Sequence, residues 1–156
     1  MSSQKHYLLD AVEADQFNLW AIHSSLLPYQ IAFVLNKYCQ TQFTHFHPSH
    51  FDKITEYPFE RYHWNYHKKG IHLELIANTY MLEEKKTNTA FSLFDVPQTK
   101  EVYLVPKLKN VDYFLLEYHP VSFINLNERL PRVNSFEMVY RIETNEQPAE
   151  LNLIFD

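Results

Sequence analysis

His45, His47 and His50 stand in the pattern H-x-H-x-x-H. Imidazoles two apart on a strand project from one face, within reach of a single zinc ion. His63, His67 and His72 form a second trio that could converge on the polar side of a hairpin, with Glu74 placed to orient it. Either trio would leave a coordination position open for water, as a histidine-metal hydrolase requires. Neither fits an established spacing such as HExxH, and solvated or core-edge imidazoles account for both more simply, so no metal and no other cofactor is expected. Asp112 and Tyr113 offer a potential base beside a hydroxyl donor. Alternation along a strand sends them to opposite faces, where they cannot act on one atom. A structural role follows: Tyr113 in the core, Asp112 on the turn at Lys109-Asn110 or against a cation. No serine, histidine and carboxylate stand in a recognised triad spacing, and no catalytic residue is assigned.

The single glycine among 156 residues, Gly70, excludes more. Phosphate-cradling loops need several residues at positive φ and a backbone that approaches its ligand without a Cβ in the way. GxGxxG, GxxxxGK[ST] and GxSxG are all absent, which removes the Rossmann, P-loop and α/β-hydrolase readings. A net charge of −5 argues against binding along a phosphate backbone, which depends on a dense positive surface. Protonation of all nine histidines would carry that charge to +4, so mildly acidic pH inverts its sign. Aromatics make up 16% of the chain. An open sheet face can stack single-stranded bases on such rings, but the RNA-recognition signature is missing and core packing explains most of them.

The segment Val105-Pro106-Lys107-Leu108-Lys109-Asn110-Val111-Asp112-Tyr113 resembles the signature of the bacterial IPExxxVDY family, with Val105 for isoleucine and Lys107 for glutamate. The motif positions kept or closely matched are Val105, Pro106, Val111, Asp112 and Tyr113. The stretch from Ile22-His23-Ser24 through Tyr29 to Lys37 and the closing Asn152-Leu153-Ile154-Phe155 are similar to the family as well. The resemblance implies neither a substrate nor a catalytic residue.

The elements that must position these residues read as one domain over 1–156, long enough to bury roughly 68–70% of the surface its unfolded chain exposes. Cys39 is the only cysteine, so no internal disulfide can form, and its place on a helix predicts a buried, inert thiol. The N-terminal residues lack an apolar signal region and no apolar run approaches the ~20 residues of a membrane span, so no membrane contact and a cytoplasmic location are expected. Phe17 to His23 predicts an interior strand, apolar on both faces. Ser24 or Ser25 would cap a helix with Pro28 in its first turn and Ile31, Val34, Leu35 and Tyr38 along its buried side, through about Cys39.

Gln42 to Phe46 reads as a strand. Phe59 to His67 and Ile71 to Met81 predict a hairpin closed at Lys69-Gly70, with His67 opposite His72, Trp64 opposite Leu75, and Trp64, Tyr66, Leu73 and Leu75 on the core side. Leu82 to Thr89 is expected as a charged loop, followed by short strands at Phe91 to Phe94 and Glu101 to Val105. Val111 to His119 predicts a second interior strand, with Val111, Tyr113 and Leu115 alternating with Phe114, Leu116 and Tyr118. Ser122 to about Leu130 suits a helix with Phe123, Leu126 and Leu130 inward, and Val133 to Ile142 a last strand with Phe136, Met138, Tyr140 and Ile142 on one side.

Strand–helix–strand therefore occurs twice, at 17–46 and 111–142, around a β-rich insertion at 54–105. That order predicts an α+β fold with a mixed or antiparallel sheet, two helices on one face and a split βαβ, ferredoxin-like layout. Leu151, Leu153 and Phe155 alternate in a C-terminal segment, 150–156, that suits an edge strand or a tail docking on a partner. The function expected is a non-enzymatic interaction or regulatory module with a protein partner. Single-stranded RNA binding through sheet aromatics and a histidine-metal hydrolase are the alternatives.

Overall fold

The computed structural model describes residues 17–47, 57–84 and 98–143. His50, the strand expected at Phe91 to Phe94, and Leu151, Leu153 and Phe155 lie outside the described residues. The elements are β1 (Phe17–His23), α1 (Pro28–Tyr38), β2 (Thr44–His45), β3 (Arg61–Tyr66), β4 (Ile71–Ala77), β5 (Thr79–Glu84), β6 (Gln98–Tyr103), β7 (Tyr113–Tyr118), α2 (Leu126–Arg129) and β8 (Met138–Ile142). Single turns of 3-10 helix occupy His67–Lys69, Pro106–Leu108 and Leu130–Arg132. Six strands form one sheet in the order β2-β3-β4-β7-β1-β8, every neighbouring pair antiparallel, and β5 pairs with β6 in a second sheet. The fold is α+β.

The two strands that are apolar on both faces sit inside the sheet because both faces are covered. On one side Trp20 and Ile22 of β1 and Tyr113 and Leu115 of β7 share an apolar cluster with Ile31, Ala32 and Leu35 of α1 and Leu126 of α2. On the other, Leu19, Ala21, Phe114 and Leu116 pack with Ile76, Phe59, Leu104, Val105 and Val111. Each fully buried Leu, Ile or Phe in these layers contributes about 1.5–3 kcal/mol of transfer free energy, enough to fix which way a strand faces. Val111 departs from the expected alternation with Tyr113, since it precedes the strand and packs on the opposite face.

β1 lies between β7 and β8, so the second strand–helix–strand unit straddles the first strand of the chain's first unit. β2 does not lie beside β7, because the β3–β4 hairpin occupies that place. The strand expected over Gln42 to Phe46 shrinks to two residues at the sheet edge, where Asn36 takes over the backbone's polar groups. Its Nδ2 donates to the Phe43 carbonyl at 3.0 Å, and its Oδ1 accepts from the Phe43 amide at 2.7 Å.

The hairpin loop is longer than a two-residue turn. Tyr66 pairs with Ile71, His67 to Lys69 form the 3-10 turn, and Gly70, at φ 67°, closes it with its amide on the His67 carbonyl at 3.1 Å. This moves the expected register by two residues: Trp64 faces Leu73, Tyr62 faces Leu75 and Asn65 faces His72. A shift of two keeps every side chain on its expected face. Leu73 and Leu75 are accordingly buried, whereas Trp64 is only half-buried and Tyr66, beside the turn, is 41% exposed.

Other boundaries moved for local reasons. The run expected as one strand from Ile71 to Met81 breaks at Asn78, and Leu82 to Glu84 continue β5 rather than forming a loop. β6 covers Gln98–Tyr103, ahead of the expected Glu101 to Val105. Asn125 adopts φ 45°, so the expected helix from Ser122 starts only at Leu126; Leu126 and Leu130 are buried, but Phe123 falls outside it and is 53% exposed. Tyr38, at the last turn of α1, is exposed rather than buried. β8 begins at Met138, and as an edge strand it leaves Met138 and Tyr140 exposed while Phe136 stays in the core. Neither serine caps α1. Leu27 is the N-cap, and Gln30 Oε1 accepts the Leu27 amide at 2.9 Å. Ser24 instead holds the loop, its Oγ donating to the Ser135 carbonyl at 3.2 Å and accepting the Leu26 amide at 3.3 Å.

Candidate functional site

The motif segment is organised by a residue that sequence reasoning passed over. Asn78 is 0% exposed and has no polar atom of its side chain idle. Its Nδ2 donates to the carbonyls of Leu108 at 2.9 Å and Val111 at 2.8 Å, and its Oδ1 accepts the Val105 amide at 2.9 Å. Its backbone joins in, the amide donating to the Asp112 carbonyl and the carbonyl accepting the Leu104 amide. Pro106 starts the 3-10 turn over Pro106–Leu108, where a missing N–H costs nothing. The signal available in the sequence was an asparagine inside an otherwise strand-like run, Ile71 to Met81, where the side chain competes with the ladder for backbone partners.

Asp112 does not bind the Lys109-Asn110 turn. Its Oδ2 accepts the Ser24 amide at 2.9 Å. Tyr113 is buried as expected, and its hydroxyl donates to the Leu26 carbonyl at 2.6 Å. Asp112 precedes β7, so strand alternation does not separate the pair, and both reach the β1–α1 loop. Burial first, then the nearby Asp112 charge, holds the Tyr113 hydroxyl well above its ordinary range, so it stays a neutral donor. Burial likewise raises the Cys39 thiol to about 11, partly offset by Arg129, which keeps the sulfur protonated.

The histidines divide. His45 Nδ1 lies 3.1 Å from His47 Nδ1, both rings exposed, while His45 Nε2 stands 3.9 Å from Glu60 Oε2. The second trio is not brought together: His67 sits in the hairpin turn, His63 packs edge-on against Phe46, and His72 stacks on Tyr118 at 4.4 Å. Glu74 accepts Arg61 Nη2 at 3.4 Å, with His72 Nε2 at 3.7 Å. Among the described residues no group of three histidine, cysteine or acidic side chains could hold a metal ion. No helix among them is long and apolar enough to cross a membrane.

Glu117 is the buried acid of the helix-covered face, its Oε2 accepting Asn18 Nδ2 at 3.0 Å. Burial raises its pKa and the Asn18 bond only partly opposes this. A carboxyl whose folded pKa exceeds its unfolded value holds its proton longer in the fold, so stability falls as pH rises through that interval. Glu117→Gln keeps an acceptor for Asn18 and removes the buried charge. It is expected to raise the thermal midpoint at pH 7 relative to wild type and to flatten the decline above pH 4.5, measured by circular dichroism melts from pH 4 to 8.

A cleft of about 680 Å³ opens at the β2–β3 end of the helix-covered face. Buried Ile71 and Ile124 and half-buried Trp64 line it together with Gln40, Gln42, Tyr66, Lys69, Phe123 and Arg129. Lys69 Nζ stands 5.9 Å from the Tyr66 ring centre and 5.8 Å from that of Phe123. Arg129 Nη1 donates to the Cys39 carbonyl at 2.8 Å, tying the end of α1 to the cleft wall. Gln40, at φ 56°, turns the chain out of α1 along the rim. Trp64, Tyr66 and Phe123 were expected inside the core; the longer hairpin loop and the shortened α2 are what bring them here.

No family model matches the chain, and no curated protein and no solved structure gives a significant match.

Proposed function

We propose that the protein is a non-enzymatic cytoplasmic interaction module whose outer α1 face docks a protein partner. One observation carries this reading: Tyr29 and Phe33, one helical turn apart, are 60% and 65% exposed, with Leu27 exposed at the same helix's start. Large rings at i and i+4 are the anchors with which a helix enters an apolar groove, and a soluble surface rarely leaves such a set uncovered. The helix carries Lys37 and no acid, so an apolar groove with an acidic border is the complementary surface. The order of β7, β1 and β8 supports reading the large sheet as a split βαβ layout with the β3–β4 hairpin inserted, and membership of the IPExxxVDY family rests on the sequence match at Val105, Pro106, Val111, Asp112 and Tyr113.

Affinity purification of the native protein after nuclease treatment, beside the double variant Tyr29→Glu and Phe33→Glu, tests the docking face. A partner retained by the wild type and lost by a folded double variant is the expected result. Equal recovery by both would remove α1 from the interface. Single-stranded RNA binding, one of the two alternatives open from the sequence, is favoured by the cleft, where exposed Tyr66 and Phe123 rings stand beside Lys69 and Arg129.

A further inference from the structure

We infer that the cleft bounded by Trp64, Tyr66, Phe123, Lys69 and Arg129 binds a nucleotide unit, its base stacked on the rings and its phosphate held by the two cations, as part of an unpaired RNA strand. This does not depend on the α1 docking face, which lies on a different element.

The chain carries nineteen acidic residues against fourteen basic ones. Yet the described residues lining the cleft include Lys69 and Arg129 and no carboxylate. A site so depleted of acid in an acidic protein favours an anion locally, whatever the net charge does at long range.

Tyr66 and Phe123 come from separate segments, the end of β3 and the loop before α2, and both are largely uncovered. Lys69 Nζ is within 6 Å of both ring centres, a cation held on two π faces. An incoming phosphate attracts that ammonium away from the rings and uncovers them for stacking, so charge and ring contacts strengthen together. Half-buried Trp64 adds a third ring deeper in the cleft.

Gln40, Gln42 and Asn65 each present an amide with both a donor and an acceptor, the complement of an unpaired base edge. Arg129 uses two hydrogen bonds on the Cys39 and Phe123 carbonyls, and the rest of its fork remains for a phosphate oxygen. A volume of about 680 Å³ suits one or two nucleotides rather than a long track. A duplex keeps its bases stacked on one another and cannot offer this site a ring.

The test uses the full chain and four probes at low and physiological salt: an unstructured eight-nucleotide RNA, adenosine monophosphate, an RNA duplex of equal length and a poly-glutamate peptide. Anisotropy reports the labelled strands, and tryptophan quenching that is lost in a Trp64→Phe variant, which keeps Trp20, reports the cleft. Single-stranded RNA should bind with quenching, and Tyr66→Ala and Phe123→Ala should each weaken it by roughly five- to 150-fold, the range for loss of one stacked base. Lys69→Gln should lower the slope of log affinity against log salt by about one. All three positions are solvent-exposed, and unchanged thermal midpoints would confirm that the variants fold. Adenosine monophosphate binding as tightly as the strand would keep the nucleotide site and make a free nucleotide its source. Equal binding of duplex or poly-glutamate, affinity unchanged in all three variants, or no binding of either nucleotide probe at millimolar concentration would overturn the inference.

Discussion

Asn78→Ala should lower the stability of the fold by about 3–6 kcal/mol. The variant leaves the carbonyls of Leu108 and Val111 without their donor and the Val105 amide without its acceptor. The Val111 carbonyl and the Val105 amide are buried, and each stranded in this way costs about 1–3 kcal/mol because water cannot replace the lost partner, while the part-buried Leu108 carbonyl adds less. The total is a large fraction of the roughly 5–15 kcal/mol that holds a domain together. Asn78→Asp should be at least as damaging at pH 7: it can still accept from Val105, but it presents a carboxylate to two carbonyls. Burial would raise that carboxyl's folded pKa, so the Asp variant should regain stability as pH falls toward 4, unlike the Ala variant. Urea titrations of both at pH 4.5 and 7 measure this. Wild-type midpoints for either would show that Asn78 does not hold the motif segment.

Tyr113→Ala is expected to cost about 3–5 kcal/mol, as a large core aromatic replaced by a methyl leaves a cavity in the apolar cluster between the sheet and the helices. Tyr113→Phe should cost only about 1 kcal/mol, the loss of the bond to the Leu26 carbonyl. Asp112→Asn should be mild for a similar reason, since an amide oxygen can still accept the Ser24 amide. Denaturant titration ranks the three. If Tyr113→Phe and Asp112→Asn unfold like wild type while a cellular phenotype disappears, the pair is a functional site and the clamp on the β1–α1 loop is incidental.

Alternation places side chains correctly only within a strand, and Asp112 stands one residue before β7 begins. Its partner, Ser24, is 88 residues away, a distance at which no spacing rule operates. The second histidine trio is separated for the complementary reason. Two-residue spacing does bring His45 and His47 together, but the hairpin turn carries His67 away from His63 and His72.

By itself the sequence determined the α+β class, the two interior strands and the division of their side chains between faces. Period-two alternation and apolarity on both sides are local properties, and burial on both faces makes them hard to violate. It also determined the helix opening at Pro28 and the inert Cys39. Tertiary structure alone decided the place of the β3–β4 hairpin between β7 and β2, the break at Asn78 and the partners of Asp112 and Tyr113. It decided the cleft too. Tyr66 and Phe123 are ordinary aromatic residues on predicted elements, and they meet Lys69 only because one turn is two residues longer and one helix four residues later than periodicity suggests. Where elements end is set by long-range hydrogen bonds competing with local preference, and that competition is settled only when the chain has folded.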